Sequence, residues 1–187
     1  MEGFLTPKFK NKYRIPLTRL PNWDYSWPGW YFVTICTEER ECFFRDVING
    51  KMKLSEIGEI VKEEWLKTPK IRKNVKLDEW IIMPNHLHGV IIINNPTAVE
   101  TPRRGVSTDV RINKKWKPNS LGSIINQIKS ICTRRIRLTI YREFAWQSRF
   151  YDHIVRDEKD LNRIRKYIIE NPCNWEKDRN NFENLYM

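Results

Sequence analysis

Residues 75–93, VKLDEWIIMPNHLHGVIII, set the tightest limit on how this chain folds. Two apolar runs are interrupted by Met83-Pro84-Asn85, and proline, which has no amide hydrogen, cannot donate to the ladder of a sheet. The segment therefore reads as two strands meeting at a turn. In a strand, residues i and i+2 share a face, so His86 and His88 leave one side of the sheet while Leu87 enters the core on the other. Two imidazoles side by side suit one metal ion, although a His-x-His pair also serves purely structural roles.

The chain around this segment has 187 residues, enough for one domain and too few for a large barrel enzyme. Hydrophobic residues make up 40% and there are eight Trp, so a sizeable core can be buried and general disorder is excluded. No apolar run approaches the ~18 residues of a membrane span. MEGFLTPKFK lacks the apolar stretch of a secretory signal. The expected location is cytoplasmic, with no membrane partner. Cys36, Cys42, Cys132 and Cys173 form no close pair of the zinc-clamping kind and read as free thiols in or near the core.

Residues 1–29 hold four prolines without periodicity and read as an irregular arm. From Trp30, WYFVTICT is a buried strand, and ECFF before the Asn49-Gly50 turn suggests a partner for it. Ser55 caps a helix whose Ile57, Ile60, Val61 and Trp65 share one face, ending before Pro69. Residues 94–119 read as a long polar, basic loop. A second helix runs from about Ser120 to Leu138, with Leu121, Ile124, Ile125, Ile128 and Cys132 inward. A third starts at the cap Asp157, carries LNRIRKYIIEN and is closed by Pro172. Residues 177–187 are left as a tail.

Charge is unevenly spread. Residues 101–150 hold twelve bases and two acids, which is +10 of the chain's net +11. A field of one sign concentrated this way points to a polyanion, and without a Trp-rich amphipathic helix nucleic acid is favoured over a membrane surface. The candidate contacts are Lys114, Lys115, Lys117, Lys129, Arg134, Arg135, Arg137 and Arg149, joined by Arg163 and Lys166 on the third helix. Trp116, Phe150 and Tyr151 lie among them and can stack unpaired bases, while Trp146 reads as core.

On the third helix Tyr167 and Asn171 are spaced i, i+4 and share a face. The apolar stripe is Leu161, Ile164 and Ile168, so Tyr167 stands beside it, close to Arg163 and Lys166. Cations near a phenol favour the phenolate and also hold a phosphate. Packing is the alternative for such a Tyr.

Three stretches taken in order, WYFVTICTEERECFF, IIMPNHLHGVIII and FAWQSRFYDHIVRDEKDLNRIRKYIIENPCNW, resemble the single-tyrosine HUH transposases, most closely the REP-associated branch. The resemblance runs from about residue 30 to 176. HUH denotes His-hydrophobic-His, here His86-Leu87-His88. It implies an α/β (α+β), ferredoxin-like fold with a central antiparallel sheet and packed helices. It further implies Tyr167 as nucleophile, Asn171 as the amide completing a metal site with His86 and His88, and Mg2+ or Mn2+ as the ion. The implied reaction is cleavage and rejoining of single-stranded or hairpin DNA through a 5′-phosphotyrosine link. His153 matches a family position and is read as structural or phosphate-orienting. The resemblance leaves a homodimer open, and DNA binding would place the protein at the nucleoid. A catalytically silent DNA-binding module is the rival. A metal-dependent hydrolase of small substrates lacks the carboxylates it would need and leaves the basic segment unexplained.

Overall fold

The computed structural model describes residues 19–20, 22–94, 117–178 and 180–181. Its elements are strands β1 Gly29–Cys36, β2 Arg45–Ile48, β3 Lys51–Leu54, β4 Val75–Met83, β5 His86–Ile93 and β6 Tyr151–Val155, and helices α1 Glu56–Ile71, α2 Leu121–Thr139 and α3 Glu158–Glu170. The main sheet has the order β4-β5-β1-β6, each neighbouring pair antiparallel. With the small β2-β3 hairpin set aside, the chain reads βαββαβ and the two central strands are β5 and β1. That is the ferredoxin-like arrangement, so the mixed α/β expectation holds.

Alternation along the strands sorts the core into two layers. Tyr31, Val33, Ile35, Leu87, Ile91 and Ile93 face α1 and α2, and Phe32 and Val90 face α3 with Leu161, Ile164 and Ile168. Among the described α-helices, α3 is therefore the one on the face that carries the histidines. Asp78 of β4 holds it there through a bidentate pair with Arg165, both contacts 2.7 Å, and the guanidinium keeps the Asp78 carboxyl below its ordinary pKa. On the opposite face Gly89 lets Trp65 of α1 lie flat on β5, since a Cβ there would come within 2.4 Å of the indole.

The caps Ser55 and Asp157 are as read, accepting from the Gly58 and Asp160 amides, and Ser120 caps the second helix by accepting from Ser123 N. Three local expectations are corrected. ECFF is not a strand paired with β1; the Asn49-Gly50 turn instead joins residues 45–48 to 51–54, and both turn residues take the left-handed φ that this tight hairpin demands. The partners of β1 are β5 and β6, whose apolar faces are longer. α1 continues through Pro69, because that residue sits in the last turn, where its missing amide forfeits a single bond and Arg72 N still closes on Thr68 O. Pro172 does not end the helical path either: α3 passes into a 3-10 stretch, Asn171–Lys177, that tightens around it. The four cysteines form no disulfide with one another; Cys36 and Cys132 are buried and Cys42 and Cys173 are exposed. No described helix is long and apolar enough to cross a membrane.

Candidate active site at the histidine pair

β5 delivers His86 and His88 to the α3 face, both fully buried, with their Nε2 atoms 2.9 Å apart. Each outer nitrogen is held from behind. His86 Nδ1 lies 2.8 Å from Asn85 Oδ1, and the identity of that oxygen follows from its amide nitrogen, which donates to the carbonyls of Arg40 and Asn180. An acceptor at Nδ1 requires the hydrogen there, so the Nε2 of His86 presents a lone pair. His88 Nδ1 lies 2.9 Å from Thr34 Oγ1, its direct neighbour across the β1-β5 register. A hydroxyl both donates and accepts, so Thr34 serves His88 whichever nitrogen carries the hydrogen. Two lone pairs cannot face each other at this distance unaided: one nitrogen carries a proton, or a cation joins both.

Tyr167 comes to this pair from α3. Its phenol oxygen stands 3.1 Å from His88 Nε2, its ring packs edge-on against Phe32 and His88, and the residue is 39% exposed. Asn171, one turn later, is buried, and its Oδ1 has no hydrogen-bond partner among the described residues. Its Nδ2 donates to Asp178 Oδ2 at 2.9 Å, and the Tyr167 hydroxyl approaches the same oxygen at 3.4 Å. Asp178 reaches the site because the 3-10 stretch turns the chain back, its amide bonding Trp175 O, while its other oxygen accepts from Asn180 N. His86, His88 and Asp178 offer ligand atoms within 4.8 Å of one another, a group that can hold a metal ion. The donor set, two imidazoles with a carboxylate and an orphaned amide oxygen beside them, fits a divalent cation.

The site thus brings together all four residues read from the sequence, and adds Thr34, Asn85 and Asp178. Asn85 had a signal in its place before His86. Asp178 had none, lying in what reads as a tail. His153 occupies the same face but on the far side of Phe32, where its Nε2 pairs with Asp160 at 2.7 Å. Burial works against ionisation of Asp160, and its bonds to His153 and Arg163 outweigh it, holding the carboxyl below its ordinary value. Arg163 and Lys166 do not reach the phenol by any hydrogen bond described; they pair with Asp160 and Glu170.

The basic candidates divide. Arg135 is tied to Glu63 and Glu64 of α1, which lowers the Glu63 pKa and raises its own. Lys117 pairs with Asp24, whose carboxyl falls to about 2 chiefly through that bond. Arg137 Nε donates to Phe144 O, and Lys129 to Gln147 O. Arg134 and Arg149 are exposed. Trp146 is core, against Phe44 and Phe144. Lys114, Lys115 and Trp116 lie outside the described residues.

Among solved structures, the chain resembles that of a REP-associated tyrosine transposase bound to a REP hairpin, with a TM-score of 0.54 at 19% identity, covering 84% of this chain and 73% of that one. The chain has the HUH tyrosine transposase fold. A protein of Haemophilus influenzae, described only as uncharacterized, is 37% identical over 172 positions, which is 86% of this chain and 89% of its own length. The two belong to one family. No family sequence model matches the chain.

Proposed function

We propose that this protein cleaves and rejoins single-stranded or hairpin DNA, as a transposase does, with Tyr167 as the nucleophile. The observation that carries the reading is the Tyr167 phenol oxygen, part exposed and 3.1 Å from His88 Nε2 beside the His86–His88 pair. A nucleophile on a helix edge, open to solvent on one side and to a pair of potential metal ligands on the other, suits a large substrate that arrives from outside.

His86, His88 and Asn171 would hold Mg2+ or Mn2+, with Asp178 as a further oxygen donor in reach. That ion would supply neutralisation of the charge that gathers on the non-bridging phosphate oxygens. Tyr167 forms the new Oη–P bond while the P–O3′ bond breaks; the phenol loses its proton and the 3′-oxygen gains one. A 5′-phosphotyrosine diester remains. Because that diester keeps the bond energy, attack by a second 3′-hydroxyl restores the DNA strand and frees Tyr167 without a nucleotide cofactor. Arg163, Lys166 and His153 would meet neighbouring phosphates, exchanging their pairs with Asp160 and Glu170 for them.

The test is incubation with labelled single strands and hairpins in Mn2+, followed by denaturing electrophoresis. Wild-type protein is expected to retain label covalently and Tyr167→Phe, which keeps the ring, to retain none. Label on a different tyrosine by peptide mapping would reject the assignment. DNA binding without any adduct, across substrates and both metals, would favour the binding-module alternative.

A further inference from the structure

A second polar concavity lies at the rim of the sheet, away from Tyr167. α2 turns Ser130, Thr133, Arg134 and Arg137 outward at i, i+3, i+4 and i+7, one helical face, and residues 145–148 form the opposite wall, with Lys129 at the floor. No carboxylate lines it among the described residues. The acids of α1 are engaged on another face of α2, by Arg135. The helix therefore carries one neutralised cationic face and one that is not.

Lys129 makes this more than a patch. Its side chain is half-buried, its hydrogen-bond partner is the Gln147 carbonyl rather than a carboxylate, and desolvation brings its pKa down to about 8. A cation partly stripped of water, with the Gln147 carbonyl as its hydrogen-bond partner and the Cys36 thiol nearby, is stabilised by an anion that enters beside it. Arg137 is pinned at the same wall by its Nε bond to Phe144 O, which orients the rest of the guanidinium fork. Ser130 and Thr133 add hydroxyls. Two guanidinium groups, an ammonium and hydroxyls without a competing acid match the oxygens of a phosphodiester, and none of them reads a base.

Position supplies the second argument. Residues 145–148 run beside the end of β1: Trp146 bridges Thr37, and Gln147 N donates to Cys36 O at 3.0 Å. On its other side Cys36 faces His86. The groove wall is thus two strand spacings, about 10 Å, from the histidine strand. α2 and α3 lie on opposite faces of the sheet, so a path joining Tyr167 to the groove must turn around the end of β1. A duplex, with a persistence length of about 150 base pairs, does not make such a turn, whereas a single strand does.

We propose that the groove of Lys129, Ser130, Thr133, Arg134 and Arg137 binds a backbone phosphate of a single strand whose nearby nucleotides lie at the histidine pair. It is a sequence-independent anchor on the far side of the sheet edge. The inference rests on the DNA reading above.

The experiment is binding of a labelled single-stranded oligonucleotide to full-length protein, by anisotropy over a series of salt concentrations. Each lost phosphate contact should flatten the plot of log affinity against log salt by about 0.7. Arg134→Gln, an exposed change that folding tolerates, is expected to lower the slope, and Arg134→Gln with Lys129→Gln to lower it by the full contribution of the one phosphate, about 0.7. Lys62→Gln, on the exposed face of α1, should leave it unchanged. Wild-type binding with the slope intact in both groove variants would overturn the anchor and leave the Tyr167 reading standing. Equal losses on a blunt duplex would overturn its restriction to single strands. No single-strand binding by wild type at low salt would overturn both.

Discussion

Asn85 and Thr34 decide what the two histidines can present to a ligand. Asn85 is fully buried and spends all of its amide: two hydrogens on carbonyls and the oxygen on His86. Removing it leaves two carbonyls and an imidazole hydrogen without partners in a dry interior, each a cost of about 1–3 kcal/mol before relaxation. Asn85→Ala is therefore expected to lose roughly 2–4 kcal/mol by urea unfolding, together with at least ~10-fold in Mn2+ affinity by calorimetry. Thr34→Val keeps the shape and removes the hydroxyl behind His88. It should weaken Mn2+ by about 10-fold and cost about 1–3 kcal/mol, since the buried His88 Nδ1 loses its partner. An unaltered Mn2+ affinity in both variants would mean that the ion sits elsewhere.

Among the elements, the α1-β5 contact is the least tolerant of change. Gly89 follows the His-Leu-His triplet, and its missing Cβ is the space that the Trp65 indole fills. Backbone and indole are both held by their neighbours, so neither yields cheaply. Gly89→Ala should destabilise by about 2–3 kcal/mol. Trp65→Leu costs stability alone through the cavity it leaves, yet in the double variant the Gly89→Ala penalty should largely vanish. Additive losses in that double-mutant cycle, read by thermal or urea unfolding, would show that the clash is not the cause. α3 depends differently on its surroundings: the Asp157 cap starts it, and the Asp78–Arg165 pair fixes it across β4, which together set how far Tyr167 stands from His88.

For the whole molecule, the half-buried Lys129 links stability to pH. Its folded pKa of about 8 lies below the ordinary 10.5, so between those values the unfolded chain holds the extra proton. Unfolding free energy should then rise with pH across that window from this group, and below pH 8 the cost of the buried charge is present in full. Lys129→Met should abolish the rise, a difference of roughly 1–2 kcal/mol after allowing for partial solvent screening. Cys132 works the other way: burial holds its thiol up at about 12, so its contribution falls as pH rises above 9. The comparison of wild type with Lys129→Met from pH 8 to 10.5, by urea titration, isolates the lysine from the thiol. Equal pH profiles for the two proteins would place the ammonium in solvent.

Much of the candidate site was legible in the chain because it rests on local periods. A strand repeats every two residues, so His86 and His88 had to share a face once 86–93 was a strand, and Leu87 had to oppose them. A helix repeats every 3.6, so Tyr167 and Asn171 had to align, and Ser55 and Asp157 announce helix starts by chemistry alone. What only the tertiary structure decided involves segments far apart. Thr34 meets His88 through the β1-β5 register, and Asp178 enters through the turn of the 3-10 stretch after α3. Arg134 and Arg135 are adjacent in sequence and identical in kind. Only the packing of α1 against α2 determines that Arg135 is consumed by Glu63 and Glu64 while Arg134 faces the groove. Periodicity orders neighbours along the chain; the partners a side chain meets across the fold depend on how whole elements pack, which no short window of sequence encodes.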